Sequence, residues 1–320
     1  MRQLKIGHLV LLALGLVAPY FVYPVFLMKA LCFALFAAAF NLLLGYVGLL
    51  SFGHAAYFGF GAYVCGHVAK VWGFTPELAL LTGTAVGTLM GLIFGWLAIR
   101  RQGIYFAMIT LALAQMVYFF CIQAPFTHGE DGIQAIPRGY LFGLIDLNPN
   151  LTLYYFVLVI FLLGLFFIQR VTHSPFGRVL MAVRENEPRA ISLGYKTQRY
   201  KLLAFVLSAG LSSLAGATKV LVFQLASLTD VHWHTSGEVV LMTLLGGVGT
   251  VLGPVVGAFL VVAIQNYFAQ VGAWVTIIQG TIFVACVLTF RRGIVGEVRE
   301  WWQRRDRQRP DAGIDPQESG

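Results

Sequence analysis

Charge is what this sequence has least of. Only 11% of its 320 residues are Asp, Glu, Lys or Arg, against about 25% in an average soluble domain, and residues 30–69, 78–99 and 202–218 contain none at all. A water-soluble fold of this length needs charge over most of its surface, so that class is excluded. A phosphate loop is also missing: no GxxxxGK(S/T) occurs, and the dipeptide Gly-Lys is never found, so this chain does not cradle ATP in that way. Cysteine is scarce. Cys32, Cys65, Cys121 and Cys286 lie in or at the ends of apolar segments without CxxC or metal spacing and read as small buried hydrophobes. The start, Met1-Arg2-Gln3-Leu4-Lys5 before a long apolar run, has no Ala-x-Ala site ahead of Tyr20, which predicts an uncleaved first span.

What is present is apolar length: 58% of the residues are hydrophobic. About 20 apolar residues at 1.5 Å per residue cross a hydrocarbon core of about 30 Å. Segments of this kind fall at 8–28, 30–48, 51–69, 78–98, 103–123, 151–168, 202–222, 238–249, 252–268 and 274–290. The predicted fold is therefore all-α, a polytopic transmembrane bundle of about ten segments, some short or broken. Arg2 and Lys5, Arg100 and Arg101, the basic residues from Arg170 to Lys201 and those from Arg291 to Arg309 all fall on one side. Lys29, Lys70 and Arg138 fall on the other, and Lys219 lies within a span. The positive-inside rule puts both termini in the cytoplasm. The net charge of +8 is then a matter of topology and does not imply nucleic acid. The division is a permease region, 1–290, containing a cytoplasmic loop at 169–201 and an exterior loop at 124–150, followed by a basic tail at 291–320. Trp301 and Trp302 in that tail suit contact with anionic membrane lipids.

Residues 238–268 are too short for two full crossings and a loop, and contain Gly246, Gly247, Gly249, Gly253, Pro254 and Gly257. A re-entrant pair or two crossings returns the chain to the same side. The run 43–48 echoes 244–249 as LLGxVG, and glycine-interrupted segments in two halves point to a transport pathway. Asn41, Ser51, His54, His67, Gln115, Gln265, Asn266 and Gln279 are polar within apolar segments. Each needs a hydrogen-bond partner or lines a pathway; Asn41, Ser51, His54, Gly246 and Gly249 are the pathway candidates. The acids lie in loops, tails or at span edges, with Glu77 and Glu238 nearest the interior. A proton-coupled carrier commonly needs an intramembrane carboxylate relay, so that class is disfavoured, though sodium coupling through carbonyls remains open. Lys219 is expected to snorkel outward to the interface, and His232-Trp233-His234 reads as an exterior loop with an aromatic anchor.

The cytoplasmic stretch Arg184-Glu185-Asn186-Glu187-Pro188-Arg189-Ala190-Ile191-Ser192-Leu193-Gly194 reads as one short helix over 182–194. Asn186 or Glu187 can cap it, Pro188 suits its first turn and Gly194 its left-handed end. On pattern alone it is a solvated interfacial helix or a docking helix. Together with NLLLGYVGLLSFGHAAYFGFGA from Asn41 and LLGGVGTVLGPVVGA from Leu244, this loop resembles the branched-chain amino acid permease family of ABC importers, in particular its LivM-type subunits. The resemblance covers about residues 30–290.

The resemblance implies an inner-membrane permease subunit that is not itself an enzyme and binds no cofactor or metal. Its implied partners are a homologous second permease subunit, two cytoplasmic ABC ATPases that hold ATP and Mg, and a periplasmic amino-acid-binding protein. The cytoplasmic helix resembles the family's ATPase-coupling motif through Ala190 and Gly194. Pro188 and Arg189 stand where Glu and Ala are expected, which shifts the acidic role to Glu185 or Glu187. Thr127-His128-Gly129-Glu130-Asp131-Gly132 resembles an exterior turn of the family with His128 in place of Gly. It is a plain tight turn or a docking surface for the binding protein through Gly129, Asp131 and Gly132. Branched-chain amino acids are the implied cargo, moved by alternating access; a urea or amide permease of the same family and an ion-coupled secondary carrier are the alternatives.

Overall fold

The computed structural model describes residues 15–268, positions 277, 280, 281 and 284, and residues 293–297. The helices follow as α1 (Pro24–Val47), α2 (His54–Lys70), α3 (Pro76–Ala98), α4 (Ile104–Gln123), α5 (Asn150–Thr172), α6 (Pro175–Glu185), α7 (Glu187–Ser192), α8 (Thr197–Phe223), α9 (Trp233–Gly246) and α10 (Gly253–Tyr267). Five of these, α1, α3, α4, α5 and α8, are long and apolar enough to cross a bilayer. The protein is an all-α polytopic membrane protein. Among the described residues a two-stranded ribbon interrupts the helices in the 124–150 loop, β1 (Tyr140–Leu141) paired with β2 (Ile145–Asp146). The expected segment 274–290 and the basic tail lie almost wholly outside the described residues, as do Cys286, Gln279, Trp301 and Trp302.

The first expected boundary is corrected. The chain breaks at residues 21–23 and not at Lys29, because Pro24 opens α1, the helix position where proline's missing N–H costs nothing. Lys29 therefore lies in the second turn of α1. This helix is apolar round its whole circumference and is buried along nearly all its length, the behaviour expected of a central helix. It packs against α5, α8, α9 and α10, whereas α2 packs against α3, α4 and α8. Thus α8 joins the two groups.

Small residues make the second group tight. Gly83, Gly87, Gly91 and Gly95 form one face of α3, and a Cβ at Gly87 or Gly91 would collide with Ser213 or Ala209 of α8. Ser213 Oγ donates to the Gly83 carbonyl at 2.8 Å. Such stripes allow close helix approach where lipid provides no hydrophobic drive for association.

Helix α2 starts part-way through the bundle. His54, its first residue, is hydrogen-bonded at 2.8 Å to Ser208, eleven residues into α8, or about 16 Å by helical rise. Its first turn would leave N–H groups bare at that depth. In that turn Ser236 Oγ accepts from Ala55 N at 2.9 Å and the Gly53 carbonyl from Ala56 N at 3.1 Å, and the residues leading in are held by Ser51 Oγ on Gly53 N and Thr110 Oγ1 on Phe52 N, each at 3.2 Å.

The segment 238–268 is a hairpin of two short helices. At 1.5 Å per residue α9 and α10 are about 21 and 22 Å long, less than the hydrocarbon thickness. Their backbones touch: a Cβ on Gly246 would collide with the Gly253 carbonyl, and one on Gly257 with that of Met242. The hairpin tip, residues 247–252, meets α1 at Asn41, about 9 Å by helical rise from the last residue of that helix.

Candidate functional site

At the end of the bundle that carries the basic 169–201 loop, the end expected from its charge to face the cytoplasm, three segments converge. The side chain of Asn41 bridges the hairpin tip, donating from Nδ2 to the Thr250 carbonyl at 2.8 Å and accepting on Oδ1 from Gly249 N at 3.0 Å. A Cβ on Gly45 would stand 2.7 Å from Gly249 N, so only glycine permits this approach. From α6, the Arg184 guanidinium donates to the Gly45 carbonyl, while its stem lies against Gly48, whose φ of +79° ends α1. Both copies of the LLGxVG echo therefore meet at one end of the bundle. Arg184 was not among the sequence candidates, and nothing in its exposed, charged context marked it as reaching inward.

The expected single helix over 182–194 is corrected to two. Asn186 sits at φ −156° and ψ 93°, ends α6, and caps α7 by accepting from Arg189 N on Oδ1 at 3.0 Å. Gly194 has φ +88° with open space around it, the left-handed end that was anticipated. Ala190 is buried. Glu187 is engaged within the chain: its Oε2 accepts from Lys201 Nζ and from Gln102 Nε2, each at 2.6 Å, with the Lys201 side chain only 5% exposed. It fastens α7 to α8 and to the α3–α4 turn. Glu185 stays exposed, beside exposed Met181, Ile191, Leu193 and Tyr195.

The remaining pathway candidates are enclosed. Ser51 is fully buried, its Oγ used within its own turn. His54 is fully buried among Phe40, Tyr57 and Phe205, with ring centroids 5.0–6.0 Å away. Ser208 Oγ donates to the Ala39 carbonyl at 2.6 Å. A hydroxyl has one proton, so His54 must donate through Nε2, and Nδ1 carries no hydrogen; Nδ1 has no hydrogen-bond partner among the described residues. Gly246 is buried in the α9–α10 crossing, and Gly249 is half-buried at the tip.

In the exterior turn, His128, Gly129 and Gly132 have φ of 60°, 59° and 66°. A Cβ on Gly132 would collide with the Ala226 carbonyl, so this glycine seats the loop on the segment after α8, where Ile133 and Ala226 exchange hydrogen bonds of 3.0 and 2.9 Å. Asp131 is exposed. Arg138 clamps the loop, donating to the Val222 carbonyl at 2.9 Å and the Asn148 carbonyl at 3.0 Å. Desolvation pulls its guanidinium below the ordinary arginine value, and it stays charged regardless.

A second polar cluster lies at the opposite end of the bundle, the one expected to face the exterior. The Lys219 ammonium, expected to reach outward to the interface, pairs within the chain with Asp230, and the two side chains are 14% and 6% exposed. Asp230 was read as a loop acid; the segment after α8 folds back against Gly59 of α2 and buries it. Gln265 Nε2 donates to Glu238 Oε1 at 2.8 Å, with His234 Nδ1 3.7 Å from the same oxygen. With Lys29, Phe33, Thr229, His232 and Thr235, these residues line a cavity of about 440 Å³.

A multi-helix membrane bundle with a buried short-helix hairpin, held from a basic loop and bearing a charged mouth, is the build of a membrane permease. Residues 24–287 match the family described as branched-chain amino acid transport system / permease component, and the chain belongs to that family. It is 26% identical over 282 residues to the high-affinity branched-chain amino acid transport system permease protein LivM of Salmonella typhimurium (strain LT2) and to that of Escherichia coli (strain K12), covering 81% of this chain and 66% of each relative. It is also 26% identical to the ribose import permease protein RbsC of Bacillus subtilis (strain 168), over 72% of both chains. The autoinducer 2 import system permease protein LsrC of Salmonella paratyphi B matches 61% of this chain, again at 26% identity. This chain thus spans just under two thirds of the length of its LivM relatives. No solved structure matches it. The protein is a multi-pass protein of the inner membrane.

Proposed function

We propose that this chain is the permease subunit of an ATP-driven importer of branched-chain amino acids, working by alternating access. ATP and Mg would sit on two partner ATPases, a homologous permease would complete the pathway, and a periplasmic binding protein would deliver the cargo to the exterior loop around Gly129, Asp131 and Gly132. The LivM relatives support the cargo over the sugars named for RbsC and LsrC, because their match covers more of this chain.

The observation that carries the mechanism is Arg184. It stands in the cytoplasmic loop, yet its guanidinium holds the Gly45 carbonyl beside the hairpin tip. An ATPase gripping exposed Glu185 and the apolar residues around α7 would move α6, and through Arg184 shift α1 against the α9–α10 hairpin. Glu187, Ala190 and Gly194 shape that docking surface. Arg184→Ala should reduce uptake at least tenfold while the ATPases still co-purify; normal uptake would remove Arg184 from the coupling route. The parent reading is tested by purifying the tagged chain from its own membrane and identifying what stays bound. Two ATPases and a second permease are expected, whereas repeated recovery of the chain alone would favour an ion-coupled carrier.

A further inference from the structure

The exterior cavity has a charge pattern that coupling to an ATPase does not account for. It lies where the exterior ends of α1, α8, α9 and α10 meet, and its volume of about 440 Å³ falls within the range of small-molecule sites. Two lysines and two acids line it, and their pairing is incomplete. Lys219 is taken up by Asp230 Oδ1 and by the rings of Phe33, Phe58 and Phe223 at 5.8–5.9 Å. Glu238 is held by Gln265. Lys29 is half-buried in the field of Lys219, Glu238 and Asp230, but its ammonium has no hydrogen bond or ion pair among the described residues. Asp230 Oδ2 is buried, also without a hydrogen-bond partner among them. The accessible Lys29 ammonium thus shares a cavity with a buried, unpaired carboxylate oxygen, and a buried polar atom is rarely left in that condition without a reason.

We infer that this cavity is a substrate subsite at the exterior mouth, built for the zwitterion of an aliphatic α-amino acid. The carboxylate meets Lys29, the ammonium meets Glu238 with the Asp230 charge behind it, and the side chain lies against Phe33. An anion alone would leave the acids unmatched, a cation alone would leave Lys29 unmatched, and a neutral sugar, although its hydroxyls hydrogen-bond to either group, would neutralise neither charge. Lys219 is a positioning residue, which holds Asp230 at the cavity wall. The inference rests on the proposed import of amino acids and adds where in this chain the cargo's charged groups are read.

The test uses the complete importer in proteoliposomes with its binding protein, measuring L-leucine uptake per assembled complex. Lys29→Met breaks no hydrogen bond or ion pair among the described residues, so a loss of uptake reads contact with cargo. At least a tenfold fall is expected for Lys29→Met and for Glu238→Gln, with substantial rescue by Lys29→Arg, which a merely apolar packing role would not show. Should Lys29→Met fail to assemble, Glu238→Gln, which keeps an oxygen for Gln265, carries the same test. Wild-type uptake matched by Lys29→Met and Glu238→Gln overturns the subsite alone. A wild-type complex that imports no amino acid overturns both the subsite and the reading beneath it.

Discussion

The two ends of the bundle handle polarity in opposite ways. At the cytoplasmic end Asn41, Gly249, Thr250, Gly45 and Arg184 form a junction in which each named polar group has its partner, and glycine lets the backbones close. At the exterior end four charged side chains surround a cavity and two of their groups lack partners. A closed, satisfied junction transmits displacement, because it resists being pulled apart. An open, unsatisfied one receives a ligand, because the ligand supplies what is absent. The contrast implies that substitutions which overpack the backbone or strand a buried charge at the cytoplasmic end should cost stability first, and those lining the exterior cavity transport first.

The sharpest way to break this contrast is Gly246→Val. Its side chain would run into the backbone of Gly253 and Pro254, so the α9–α10 hairpin must open, at a cost of about 3 kcal/mol or more, the upper range for overpacking. Loss of monodisperse protein in detergent is expected. Next is Glu187→Ala, which strands the buried Lys201 ammonium. Removing one member of a buried pair costs about 3 kcal/mol, visible as a lower melting temperature, and Glu187→Gln should lose less. At the exterior, His128→Gly should act in the other direction. His128 has φ 60°, a left-handed conformation that costs a non-glycine residue about 1 kcal/mol, so the melting temperature should rise. Smallest of all, Lys29→Met should change stability by no more than about 0.5 kcal/mol. A large loss of melting temperature there would make the exterior pocket a structural element like the cytoplasmic junction and erase the difference between the two ends.

Much of the cytoplasmic side was legible in the sequence because local chemistry decides it. Asn186 as a cap, Pro188 in the first turn and Gly194 as a left-handed end are short-range rules, and α7 obeys them. The length of the helix in the 169–201 loop was misread because Asn186 also ends α6, and a cap has no signature that tells one helix from two. Asn41 was recognisable as a polar residue needing a partner, but that partner lies 208 residues away. The mid-bundle start of α2 is invisible to hydropathy, since residues 48–53 are as apolar as the helix they precede. The glycine stripe of α3 was open to view, but hydropathy averages over it. Lys219 and Asp230 were separated by treating one as part of a span and the other as part of a loop, though the loop folds inward.

The position of α1 at the centre also orders how the molecule comes together during synthesis. Among the helices described, α1 emerges from the ribosome first, yet Arg184 arrives more than a hundred residues later and Gly249 later still. Lys219 and Asp230 are only eleven residues apart, and so can enter the bilayer already neutralised. Asn41 has no such neighbour. Among the described helices the most enclosed span is thus made first and is among the last to be completed.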